Sequence, residues 1–113
     1  MTMRPDVRAG DAWHAHVDVV GVLNALAEPT RLSLVHLLAD GPARVVDLTA
    51  ALGLAQSTVS AHLAVLRDAG LVTATPQGRA VRYALADDEL DALLGAAERL
   101  VARRAGSAGD GVS

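Results

Sequence analysis

Three observations predict a mainly α-helical domain with one small β-hairpin. Apolar residues make up 51% of the 113 positions but are almost all Ala, Leu and Val; Trp13 and Tyr83 are the only aromatics and Phe is absent. Faces of that composition pack well as helix on helix. Apolar positions spaced three and four apart recur in five segments, whereas strand-like alternation is confined to residues 71–75 and 79–85. Pro76, Gln77 and Gly78 between those two runs make a hairpin loop.

The length fits one domain with frayed ends. So small a domain buries limited area alone, and a dimer interface is expected to add stability. With no cysteine in the chain, disulfides, thiolate metal sites and thiol redox switches are excluded. No apolar run reaches the roughly 18 to 20 residues a membrane helix needs. The start carries Arg4 and Arg8 without an apolar stretch behind them, so it is not read as a secretory signal. A cytoplasmic location is expected.

Element by element, residues 1–10 read as a disordered arm. The first helix covers about residues 12–27, with Asp11 as its N-cap and Trp13, Val17, Val20 and Leu23 on its apolar stripe. Glu28 and Pro29 end it, because the residue before Pro is pushed out of the α region, and Pro29 opens the second helix. Leu32, Leu34, Val35, Leu37 and Leu38 supply that helix's buried side, and His36 among them reads as a partly buried structural residue. Asp40, Gly41 and Pro42 stop it. The third helix runs from Val45 to Leu52, and Gly53 turns the chain where φ > 0 is needed. The fourth covers about residues 56–68, the hairpin residues 71–85, and the last helix residues 87–104 behind acidic residues that suit its N-terminal dipole. Residues 105–113 have the composition of a disordered tail. The folded domain is thus 11–104.

Third helix, glycine turn, fourth helix and hairpin follow one another in the order of a winged helix-turn-helix. On the fourth helix Val59, Leu63 and Leu66 share the core face. The other face carries Gln56, Ser57, Ser60, Ala61, Ala64 and Arg67. Gln can bond adenine bidentately, Ser can reach a base edge or a phosphate, and the helix N-terminus offers free N–H groups. Alone, this face reads equally well as an ordinary solvated surface. The hairpin shifts the balance, since Arg79 and Arg82 sit where a wing lays arginines along the DNA backbone or into the minor groove. The net charge of −3 argues against nucleic acid, but charge is unevenly spread. Residues 44–82 carry net +2 and residues 83–98 net −5, so the acidic segment is expected to face away from DNA.

Three stretches carry a resemblance: LAEPTRLSLVHLL (residues 26–38), VVDLTAALGLAQSTVSAHLAVLRDAGLV (45–72) and GRAVRYAL (78–85). Together they cover roughly two-thirds of the chain, and it resembles the ArsR/SmtB-type winged-helix repressors, many of them metal sensors. The resemblance implies a homodimer through the first and last helices, an inverted-repeat double-stranded DNA operator, and derepression by an inducer. It implies that Gln56, Ser57, Ser60 and Thr58 are recognition residues, with Arg79 and Arg82 in the wing. His62 belongs to the family's S-x-H-L pattern; next to core-facing Leu63, it reads as a structural hydrogen bonder in preference to a DNA contact.

The chain departs from the best-known members in its metal ligands. Where the family has C-x-C, this chain has Arg44, Val45, Val46 and Asp47, so thiolate-dependent soft-metal sensing is not expected. A second family site, in the last helix, keeps Asp87 and has Glu89 in its second position, but its later positions are Leu100 and Arg103 and cannot coordinate a cation. What remains is His14 and His16. At i, i+2 on a helix they point about 200° apart and cannot share an ion without fraying. One reading leaves them without a ligand. The other pairs them with donors from elsewhere, and some members recruit this region to an Asp at the position of Asp47 in the partner subunit. Imidazole and carboxylate suit Ni²⁺, Zn²⁺ or Co²⁺. Folding requires no metal on either reading.

The expected function is a sequence-specific DNA-binding regulator, a repressor, whose DNA affinity responds to a divalent metal such as nickel or zinc. The alternatives are a regulator of the same kind that senses no metal, and a winged-helix module that binds protein. An enzyme is not expected, because no His, Ser or carboxylate set has catalytic spacing. Inducer, operator sequence and direction of regulation are not encoded in any recognisable motif.

Overall fold

The computed structural model describes residues 9–111, with side chains described from 16 to 106. The chain order is α1 (Ala9–Leu26), α2 (Pro29–Ala39), β1 (Ala43–Arg44), α3 (Val45–Leu52), α4 (Gln56–Asp68), β2 (Val72–Gln77), β3 (Ala80–Leu85) and α5 (Glu89–Gly111). The strands form one antiparallel sheet in the order β1-β3-β2.

The core gathers the apolar faces of all five helices and the base of the hairpin. Leu34, Val35 and Leu38 of α2 meet Leu48 of α3, and Val59, Leu63 and Leu66 of α4. Ala25 and Leu26 of α1, Leu71, Val72, and Leu90 and Leu94 of α5 complete it. The i, i+4, i+7 spacing on α4 therefore does what the pattern requires, burying all three side chains completely.

Local chemistry sets the boundaries. Glu28 has extended backbone and caps α2, its carboxylate accepting the Arg31 N–H at 3.0 Å, and Pro29 takes the first helical position. Gly53 closes α3 at φ 67°, where a Cβ would strain the backbone. The wing pairs Gln77 with Ala80, leaving a two-residue loop, and the positive φ of 63° falls on Gly78, the first of the two, as a type II′ turn needs. The loop is thus Gly78 and Arg79, with Pro76 and Gln77 inside β2.

Several expectations are corrected. α1 begins at Ala9, so Asp11 lies in its first turn and is not its N-cap. Asp87 precedes α5, which starts at Glu89, and its carboxylate accepts the Glu89 N–H at 2.8 Å. α5 then continues to Gly111, through the segment whose composition reads as a tail. His36 is exposed, because the helix turns it away from Leu34, Val35 and Leu38. Leu32 is 38% exposed on the same account. β1 has no counterpart in the sequence reading.

α1 and α5 reach beyond the core. Val17, Val19, Val20 and Leu23 on α1 and Leu93, Leu100 and Val101 on α5 are large apolar side chains left exposed. The radius of gyration is 17.7 Å, whereas about 13 Å is usual for a chain of this length. Between α2 and α5 lies a largely apolar groove of about 650 Å³ lined by Leu32, His36, Leu37, Leu52, Leu94 and Val101. Among the described residues no single helix is long and apolar enough to cross a membrane.

Candidate nucleic-acid interface

α3 and α4 are bent by 113° across Gly53, Leu54 and Ala55. A helix-turn-helix joins its helices at about 90–120° through a turn of three or four residues. The geometry follows from the two buried faces: Leu48 of α3 and Val59 and Leu63 of α4 must reach one core from either side of a short turn.

With that face fixed, the opposite one is free. Gln56, Ser57 and Thr58 are all exposed in the first turn of α4, Ser60 is half-buried, and Arg67 is exposed in its last turn. The N-cap is Ala55, which supplies no side-chain acceptor. The first N–H groups of α4 therefore remain available to an anion. Arg79 is exposed in the hairpin loop. Arg82 is exposed on β3, its Nε donating to Gln77 Oε1 at 2.8 Å. The recognition set from the sequence thus falls on one helix edge and one strand-and-turn, all reachable from solvent.

Two features were missed. Arg44 is exposed and paired in register with Arg82 across β1 and β3. Arg31 ties three helices together: Nε donates to the Ala25 carbonyl at 2.6 Å, Nη2 to that of Asn24 at 3.4 Å, and Nη1 lies 3.2 Å from His62 Nδ1. His62 Nδ1 also lies 3.4 Å from Glu28 Oε2. His62 therefore points back to the α1–α2 corner, as a structural hydrogen bonder should. Partial burial works against the Glu28 carboxylate, but the Thr30 and Arg31 backbone N–H groups and His62 outweigh it and hold its pKa below the ordinary value.

The metal-ligand set is not brought together within one protomer. The His14 side chain lies outside the described residues. His16 is exposed on α1. Asp47 is exposed in the first turn of α3, its Oδ2 3.5 Å from Arg44 Nε. Among the described residues no three His, Cys, Asp or Glu side chains come close enough to hold an ion.

A core drawn from all five helices, a bent helix pair and a hairpin wing in a three-stranded sheet define a winged helix-turn-helix domain. The sequence pattern of the bacterial regulatory proteins of the arsR family matches residues 28–74. The HTH-type transcriptional regulator CmtR of Mycobacterium tuberculosis is 54% identical over 71 residues, 63% of this chain and 60% of that protein. The chain thus spans somewhat under two-thirds of that relative's length. The HTH-type transcriptional regulator NmtR of the same organism is 44% identical over 80 residues, 71% of this chain and 67% of that one. A homodimeric winged helix-turn-helix DNA-binding domain from Mycobacterium bovis, solved by NMR, superposes with a TM-score of 0.74 at 31% identity, covering 92% of this chain and 94% of that domain. This chain belongs to the arsR family of bacterial regulatory proteins. The family is one of regulators and not of enzymes.

Proposed function

We propose that the protein is a homodimeric, sequence-specific DNA-binding repressor whose operator affinity is modulated by a divalent metal such as nickel or zinc. The observation that carries the DNA half is the α3–α4 bend, which leaves the polar first turn of α4 exposed while its other face is fully buried. In this reading α4 enters the major groove. Gln56, Ser57, Thr58 and Ser60 then read base edges, Arg67 meets the backbone, and Arg79 and Arg82 extend the contact through the wing.

The dimer half is supported by the apolar stripes on α1 and α5 and by the groove beside α5, which one protomer leaves uncovered. Two protomers related by a two-fold axis present two recognition helices to an inverted repeat.

The metal half draws on donor chemistry: α1 is helical from Ala9, so positions 14 and 16 lie about 200° apart, and His14 or His16 would each pair separately with a donor from elsewhere, such as Asp47 of the other protomer, an imidazole–carboxylate combination that suits nickel or zinc. One protomer's described residues do not form that set, so its completion depends on the dimer. A second reading, a repressor that senses no metal, is favoured by the helical course of α1 through positions 14 and 16, which sets them about 200° apart.

The test is selection of a duplex from a random library, followed by anisotropy titrations against salt with and without Ni²⁺ or Zn²⁺. Binding that weakens steeply with salt and selects an inverted repeat is expected. Absence of duplex binding at low salt refutes the repressor reading. Calorimetry on His14→Ala/His16→Ala decides the metal: tight binding that survives both substitutions refutes this ligand set.

A further inference from the structure

The outer face of the sheet carries a charge pattern that the recognition helix does not account for. The register places Arg44 opposite Arg82, and Arg82 opposite Thr75. Directly opposed residues of an antiparallel pair project from the same face. The adjacent row, Ala43, Tyr83 and Ala74, is half-buried against the core, so the row holding the two arginines points outward. Thr73 and Gln77 lie two residues from Thr75 on β2 and share this face. It presents two guanidinium groups, two hydroxyls and an amide, with no carboxylate on any of its strands.

Two like charges side by side are unfavourable in the free protein. They are relieved separately, Arg82 by Gln77 at 2.8 Å and Arg44 by Asp47 at 3.5 Å. The Arg44 and Asp47 side chains are 48% and 58% exposed. An ion pair so open is weak, and an external anion can displace the carboxylate at little cost. The planar guanidinium fork matches phosphate oxygens bidentately.

We propose that Arg44 and Arg82 form a two-arginine clamp on the phosphate backbone of the DNA strand beside the recognition helix, with Asp47 as the built-in counter-ion that Arg44 gives up on binding. This rests on the DNA-binding reading and adds to it a residue, Arg44, and an antagonist, Asp47. The clamp is sequence-independent: it positions the wing and does not read bases.

The test uses full-length, EDTA-treated protein and a labelled mixed-sequence duplex of about two helical turns, titrated between about 50 and 200 mM salt. Arg44→Ala and Arg82→Ala are each expected to lower the slope of log K against log salt by about one. Arg44→Lys should keep the slope. Asp47→Asn should tighten binding by about 1.5- to 5-fold, the range an exposed ion pair spans, and Arg44→Ala should abolish that gain. A merely structural Arg44–Asp47 pair predicts the opposite sign for Asp47→Asn. A wild-type slope in Arg44→Ala, or weaker binding by Asp47→Asn, overturns the clamp while leaving the DNA reading intact. Failure of the wild-type protein to bind any duplex at low salt overturns that reading instead.

Discussion

Replacing Arg31 tests whether the corner between α1 and α2 holds the recognition helix in place. Its strongest bond is Nε to the Ala25 carbonyl at 2.6 Å in a part-buried setting; a hydrogen bond from a charged donor contributes about 1.5–3 kcal/mol. The His62 contact at 3.2 Å is ordinary and part-buried, worth about 0.5–1 kcal/mol. The exposed bond to Asn24 at 3.4 Å adds little, since water replaces it. Allowing for water at the partly open site, Arg31→Ala should cost about 2 kcal/mol. With an unfolding entropy of about 2.1 cal/mol/K per residue, that corresponds to a melting temperature lower by about 8 °C. Arg31→Lys keeps the charge but not the fork and should lose about half as much. Urea and thermal unfolding at matched protomer concentration measure both. Because Arg31 lies in the α1–α2 corner, Arg31→Ala should also weaken duplex binding without changing its salt slope. A loss below about 0.5 kcal/mol, within the range of ordinary surface substitutions, refutes the argument. So does full additivity of Arg31→Ala with His62→Ala, since contacting residues couple.

Other consequences are as direct. Leu63 is fully buried on α4, so Leu63→Ala should cost about 2–5 kcal/mol in chemical denaturation; a cost under 1 kcal/mol, far below that range, would contradict its core position. The folded state holds the Glu28 pKa below its usual 4.5, so the ionised carboxylate's contribution is complete above that value and fades as pH falls through the lowered one. The stability gap between wild type and Glu28→Gln should therefore be widest near neutrality and shrink in acid, and a gap independent of pH would refute it. Val20 is 52% exposed on the stripe assigned to the dimer. A two-fold interface would receive two carboxylates from Val20→Asp, so sedimentation velocity should show monomer; an unchanged dimer would move the interface elsewhere.

Much of this architecture could be read before any coordinates, and the limits of that reading are physical. α3 and α4 have the bounds the sequence predicts because their signals are local: a helical repeat, a glycine at the turn, a buried i, i+4, i+7 face. β1 was invisible since two residues show no alternation, and only pairing with β3, nearly forty residues later, makes them a strand. Nothing in the sequence therefore places Arg44 beside Arg82. Arg31 carries no signal in the sequence because its acceptors are carbonyls of the preceding helix, which no side-chain pattern encodes. His36 is surrounded by apolar residues in sequence, while the helix rotates it away from the buried Leu34, Val35 and Leu38. The apolar stripes of α1 and α5 were legible as stripes, but sequence alone could not tell which half faces this chain's core.

The net charge of −3 is the observation most at odds with a nucleic-acid ligand, and the fold resolves the conflict. The carboxylates Asp88 and Asp91 line a cleft of about 320 Å³ with Leu38, Gly41, Pro42 and Leu85, where the end of α2 meets the start of α5. β3 separates this acidic corner from the hairpin loop: Arg79 lies in that loop and Arg82 in the half of β3 next to it, with Asp87 and Asp88 just past the strand's other end. Over distances beyond a Debye length of about 8–10 Å, screening leaves only the nearer charges to act on a phosphate. In the proposed complex the arginines of the wing would set affinity, while the acidic corner would repel backbone and disfavour any pose that brings it to the duplex. Net charge is a poor guide for such a complex, because orientation selects which part of it the DNA would meet.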